Sequence, residues 1–178
     1  PWFWKKNRIH LINDLVDVLD DQRKTVHTAG GKQISYDKLI LATGSSSNRL
    51  EIPGNELDGV ASLYSLQDLQ YIESKSTNLK RVVIAGGGLI GIELAEMFHS
   101  RHIPVTFLVR ESSYSNMLLP AEESEMVNRE IREHGIDLRL HTELTDIKGD
   151  EAGRIKSTLT SSGEEIDCQL ACIAVCVH

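Results

Sequence analysis

The sequence predicts an α/β fold: a three-layer domain built on a parallel sheet with an antiparallel meander, preceded by part of another domain. Three observations carry this expectation. Val82, Val83, Ile84 and Ala85 form a short, continuous apolar run, the pattern of a parallel strand covered on both faces. Gly86, Gly88 and Gly91 then satisfy G-x-G-x-x-G. Beyond them the periodicity becomes helical, with Ile90, Leu94, Met97 and Phe98 on one side.

A strand, a glycine turn and a helix in that order make an anion site. Gly86 can adopt the angles of a tight turn, Gly88 has no side chain to hold a pyrophosphate off the backbone, and Gly91 allows the helix to pack close to the strand. The amides of Leu89 and Ile90 then lie at the positive end of the helix. The stretch therefore reads as the phosphate turn of a Rossmann-like dinucleotide-binding domain. No G-K-[ST] follows the glycines, which disfavours a nucleoside triphosphate loop.

With 178 residues, 40% apolar and 25% charged, the chain can bury one good core. A formal charge of -7 with no basic cluster argues against a nucleic-acid partner. No apolar run reaches the length of a membrane span and no signal peptide opens the chain, so a cytoplasmic location is expected.

In chain order, residues 1–6, PWFWKK, read as an exposed tail too short to anchor in a membrane. Ile9 to Ile12, Leu15 to Leu19 and Thr25 to His27 look like the strands of a small antiparallel meander, broken at Asp20 and Asp21 and at Ala29 to Gly31. Leu39 to Ala42 reads as a buried strand ended by a Thr43-Gly44 turn. Ser45, Ser46 and Ser47 lie outside any G-x-S-x-G context and are expected to be a solvated loop.

The stretch YDKLILATG, the Ile52-Pro53-Gly54 that follows and the later glycine turn together resemble the flavin-dependent pyridine nucleotide-disulfide oxidoreductases. The resemblance implies that residues 1–56 are the C-terminal part of an incomplete FAD-binding domain and that 57–178 are an NAD(P)-binding domain. It also implies that Thr43 and Gly44 touch FAD and that Glu93 lies near the nicotinamide and flavin. Such proteins begin with a glycine turn of their own for FAD, which has no counterpart here. The chain is accordingly expected to be an internal fragment, its full-length protein a flavoprotein and a homodimer.

From Gly54 to Lys80 a connector with one helix, roughly Ser65 to Ser74, is expected to bury Leu66, Leu69 and Ile72. After the glycine turn's helix, His99 and His102 suit a solvated helix end better than a metal site. Val105 to Val109 form a second strand. A helix from Pro120 to Gly135 is signalled by Glu122 and Glu123 in its first turn, Arg129 and Arg132 further on and a terminal glycine, with Val127 and Ile131 facing the sheet. Ile136 to Leu140 form the third strand. Leu144 to Cys168 read as antiparallel hairpins, and the run from Gln169 as a final buried parallel strand.

The end of the second strand bears on nucleotide choice. About 20 residues beyond the fingerprint, the generic place for an acid on the ribose, lies Glu111. The family pattern puts that acid at Val109, with Arg110 next to it, which resembles members whose arginine meets the 2'-phosphate of NADPH. Both readings stand at this stage.

Cys168, Cys172 and Cys176 are spaced to fall on one strand face, too far apart for neighbours to bridge, and read as small buried residues. In the family's last strand a glycine lies beside the nicotinamide; the matching position is Cys176, or Ala174 in a shifted register. Two functions are compatible with these features. One is an NAD(P)H-dependent oxidoreductase in which hydride passes to FAD and electrons pass on to a disulfide, a small iron-sulfur protein or nitrite. The other is a regulatory dinucleotide-binding module without catalysis.

Overall fold

A computed structural model describes residues 2–48, 50–116 and 118–175. They group into two compact units, Pro1–Gly44 and Ser45–His178.

The first unit opens on α1 (Trp2–Lys6), a short helix rather than a tail, with Trp2, Phe3 and Trp4 all exposed. Three strands follow, β1 (Val16–Asp20), β2 (Thr25–Thr28) and β3 (Gln33–Ser35), forming an antiparallel sheet in the order β1-β2-β3. The expected meander is there, but Ile9 to Ile12 are not part of it; its third strand is the polar-apolar-polar Gln33–Ser35. A glycine turn makes that pairing local: Gly31 takes φ +80° and Thr28 N–H reaches across it to the Lys32 carbonyl.

The expected buried strand at Leu39 to Ala42 does not form. These residues are irregular and exposed, Ile40 by 89%. A strand requires neighbours to take its N–H and C=O groups, and none of the described strands pairs with this run.

The second unit comprises β4 (Val60–Ala61), α2 (Leu66–Lys75), β5 (Val82–Ala85), α3 (Leu89–His99), β6 (Val105–Leu108), α4 (Ala121–Glu133), β7 (Asp137–Arg139), β8 (Leu144–Gly149), β9 (Ile155–Thr160), β10 (Glu165–Asp167) and β11 (Leu170–Ile173). Its central sheet is parallel in the order β4-β11-β5-β6-β7, and β10-β9-β8 form a separate antiparallel sheet. Alternation along the strands divides the core into two layers. Val82, Ile84, Val105, Phe107 and Cys172 pack with Ile72 of α2, Leu94 and Phe98 of α3 and Ile131 of α4. Val83, Ala85, Leu108 and Ile173 pack with Leu144, Ile147, Ile155 and Ile166 of the antiparallel sheet. Four consecutive buried residues in each of β5, β6 and β11 follow from this double covering.

α2 starts at a reciprocal cap, the Ser65 hydroxyl accepting from Asp68 N–H while the Asp68 carboxylate accepts from Ser65 N–H. Only Ile72 of its expected apolar side is buried; Leu66 and Leu69 are exposed. The helix is fastened by Tyr71, whose hydroxyl accepts from Gly59 N–H at 2.8 Å and donates to Asp58 at 2.9 Å. α4 matches its end signals, with Gly135 at φ +79° beyond its last turn.

One cysteine expectation changes and one holds. Cys168 lies between β10 and β11, in the layer of the antiparallel sheet, whereas Cys172 lies in the helical layer. The turn at Gln169 breaks the two-residue alternation, so they do not share a face. Both are buried, and burial pushes both thiols up to about 12, which leaves them protonated and unreactive at neutral pH. Cys176 lies outside the described residues.

Candidate nucleotide-binding site

The chain reverses its direction of build-up across the sheet between β5 and β11, and the glycine turn leaves the C-terminal end of β5 at that point. Ligands of open α/β sheets bind at such a switch, because the loops on either side diverge and leave a crevice.

Each glycine of the turn has its own steric reason. Gly86 takes φ +125°, and a Cβ there would run into the Ala174 carbonyl at the end of β11. Ala174 is buried and donates its N–H to Ala85 O at 2.8 Å, so β11 closes one wall of the turn. A Cβ on Gly91 would meet the Gly86 carbonyl and the Phe107 ring, at 2.9 Å from Cε2, which is the close helix-strand approach expected of it. Gly87 was not singled out by the motif, yet a Cβ there would lie 2.7 Å from Val109 Cγ1. Its place in the middle of the unbroken Gly86 to Gly88 run was the available signal.

Gly88 differs from these three. It stands at the N-terminus of α3 with extended backbone, and a Cβ on it would meet nothing within 4 Å. No side chain caps that end of the helix, so the first-turn amides of Leu89 and Ile90 remain for a ligand. Leu89 is 70% exposed, whereas Ile90 is partly buried against the helical core layer. The bare, open position beside uncapped amides is the shape a pyrophosphate requires, and the residues fit the group.

Glu93 is exposed and lies in the second turn of α3, not the first. Tyr114, on the loop after β6, is buried; burial raises its phenol above the ordinary value and the Glu93 charge adds to the rise.

At the ribose end, Val109 is fully buried beneath Gly87, and its neighbours Arg110 and Glu111 pair with each other. Arg110 Nη2 and Nε donate to Glu111 Oε1 at 3.0 and 3.2 Å. The two candidate ribose ligands are thus one ion pair in this structure. Thr43 and Gly44, with Gly44 at φ +74°, belong to the first unit.

A cavity of about 560 Å³ lies at β4 and the start of α2, lined among others by Glu56, Asp58, Asp68 and Tyr71. Its three carboxylates would repel phosphates, so it is not the nucleotide crevice. His99 meets His134 edge-on, with ring centroids 6.1 Å apart. Among the described residues no cluster of three or more His, Cys, Asp or Glu is placed to hold a metal ion, and no helix is long and apolar enough to cross a membrane.

Comparison with known proteins bears on the family and the fold. The family model described as pyridine nucleotide-disulphide oxidoreductase matches residues 4–177. The chain is 32% identical over 174 residues to a rubredoxin-NAD(+) reductase of Ectopseudomonas oleovorans, which covers 97% of this chain and 45% of that protein. It is 30% identical over 176 residues to a nitrite reductase [NAD(P)H] of Bacillus subtilis, covering 98% of this chain and 22% of that one. Its fold matches the crystal structure of a ferredoxin reductase from Rhodopseudomonas palustris with a TM-score of 0.91 at 25% identity, covering 99% of this chain and 43% of the other. The chain therefore spans less than half the length of these relatives.

Proposed function

The chain belongs to the pyridine nucleotide-disulphide oxidoreductase family, and from that premise we propose that it is the NAD(P)H-binding portion of a flavoprotein oxidoreductase. Residues 57–178 hold the nucleotide and residues 1–56 form part of the FAD domain, with Thr43 and Gly44 on the flavin side. The observation that carries this reading is the open Gly88 beside the uncapped amides of Leu89 and Ile90, at the sheet's switch point.

The protein's own groups have distinct tasks. The Leu89 and Ile90 amides bind the pyrophosphate, Gly86 and Gly91 hold strand and helix at the spacing that aims those amides, and Arg110 and Glu111 meet the adenosine ribose. Glu93 lies toward the nicotinamide end. When bound, NAD(P)H supplies a hydride and FAD accepts it and relays the electrons. Rubredoxin and ferredoxin, named with two of the relatives, favour a small electron-transfer protein as acceptor over nitrite or a disulfide.

The Arg110–Glu111 pair makes nucleotide choice a competition. A 2'-phosphate must draw Arg110 from Glu111, and Arg110 is largely exposed, so solvent screening limits the gain to about 1 kcal/mol. We expect NADPH to bind about fivefold more tightly than NADH. Arg110→Ala should abolish that preference, and Glu111→Gln, which releases the guanidinium, should raise it to about tenfold. Dissociation constants for both nucleotides by calorimetry test this. A wild type preferring NADH, with a ratio indifferent to Arg110→Ala, would give the ribose to Glu111 acting as acceptor.

The chain contains one G-x-G-x-x-G, at residues 86–91. Purified as residues 1–178 it should therefore carry no stoichiometric flavin, and visible absorbance of one flavin per chain would overturn the reading of residues 1–56 as an incomplete FAD-binding domain. Yellow colour in a full-length protein separates the enzyme from a purely regulatory nucleotide-binding module.

A further inference from the structure

We propose that Asn128, on α4, is a positioning residue for nucleotide choice, acting through the loop that carries Arg110 and Glu111. The proposal deepens the reading of that loop as the ribose end of the site and rests on it. Asn128 is polar, fully buried and on a helix face otherwise given to packing. Its side chain spends its hydrogen-bonding capacity on the loop after β6 and on its own helix. Oδ1 accepts from Tyr114 N–H at 3.0 Å, and Nδ2 donates to Ser113 Oγ at 2.8 Å and to Glu125 Oε2 at 3.0 Å.

The loop is held from two sides, at Val109 and Glu111 on either side of Arg110 and at Ser113 and Tyr114 beyond the pair. On the strand side, Thr142 N–H donates to Val109 O at 3.1 Å and His141 N–H to Glu111 O at 3.0 Å. On the helix side, Asn128 secures Ser113 and Tyr114, and the Tyr114 ring packs near Phe107 at 6.3 Å between centroids. Without Asn128 the backbone of Ser113 and Tyr114 loses its hydrogen-bonded anchor and keeps only the packing of the Tyr114 ring, so the loop beyond Glu111 gains freedom that reaches the ion pair. A buried polar side chain is costly unless satisfied, so its use here to fix a loop next to the ribose pair is a specific device rather than filler.

The experiment is calorimetric titration of NADH and NADPH into wild type, Asn128→Ala, Ser113→Ala, Arg110→Ala and the Asn128→Ala/Arg110→Ala double variant, each first shown to be folded by its thermal melt. Ser113→Ala removes one hydrogen bond on the loop side and leaves α4 intact, so it keeps the test open should Asn128→Ala fail to fold. Expected is a shift of the NADPH-to-NADH affinity ratio by about threefold or more in Asn128→Ala, a smaller shift in the same direction in Ser113→Ala, and no further shift when Arg110 is already alanine. An equal weakening of both nucleotides in Asn128→Ala and Ser113→Ala, or a ratio shift that persists in the double variant, would overturn the proposal, because a merely structural residue does not act through Arg110. Failure of the wild type to bind either nucleotide would instead remove the functional reading itself.

Discussion

Gly88→Val is expected to abolish nucleotide binding and leave the fold in place. Its backbone is extended, at φ -95° and ψ -175°, which any residue can adopt, and a Cβ there touches nothing within 4 Å. The valine methyls would therefore stand in open space at the end of α3, where a pyrophosphate must come within hydrogen-bond reach of the Leu89 and Ile90 amides. Each charge-assisted bond lost is worth roughly 1.5 to 3 kcal/mol, so the loss of two corresponds to about a hundredfold or more in affinity. Valine is also a poorer N-terminal cap than glycine. That costs about 1 kcal/mol, or roughly 2–4 °C in melting temperature for a chain of this size. Calorimetry beside a thermal melt reads both quantities, and retained affinity in a folded variant would remove the phosphate from this turn.

Gly91→Val should do the reverse, destabilising the fold through a residue that faces the protein and not the ligand. Gly91 is buried, and its Cβ would collide with the Gly86 carbonyl and the Phe107 ring. Neither neighbour can give way. The Gly86 carbonyl belongs to a turn with β11 against its other side, and Phe107 is a fully buried core residue. Relief requires α3 to lift from β5, uncovering Leu94 and Phe98. A cost of about 3 kcal/mol or more is expected, a fall of roughly 6–12 °C in melting temperature. A melt within a degree or two of wild type would show that the junction is slacker than this packing implies. The pair of variants separates the glycine that faces a ligand from the glycine that faces the protein.

Strands β5, β6, β7 and β11 of the central sheet were legible because their signals are local, whereas the two-residue edge strand β4 lies in the stretch expected to be a connector. Four consecutive apolar residues at Val82 to Ala85, glycines at a junction and capping residues at both ends of α4 all report on structure within a few positions of themselves. The same holds for the hairpins of β8 to β10, marked by Gly149, Gly153 and Gly163. Leu39 to Ala42 had the same apolar pattern as β5 but does not form a strand, since pattern records the capacity to be buried and not the presence of strands to pair with. Leu66 and Leu69 had the helical spacing of a buried stripe but are exposed, because α2 meets the sheet through Tyr71 and Ile72 alone.

By itself the sequence determined the family, the order of strands and helices from residue 82 onward, and the turn in which a dinucleotide's phosphates would lie. These depend on backbone freedom and hydrophobic period, which are properties of short segments. Tertiary structure alone decided that Arg110 and Glu111 form one ion pair, that Asn128 holds their loop, that Gly87 must be bare above Val109 and that Cys168 and Cys172 lie in different core layers. All but the first join residues on different elements or across a turn, and the first depends on which of the rotamers open to two adjacent side chains the loop allows. Their separations are set by how the sheet twists and the helices seat on it, and no local pattern of residues encodes that distance.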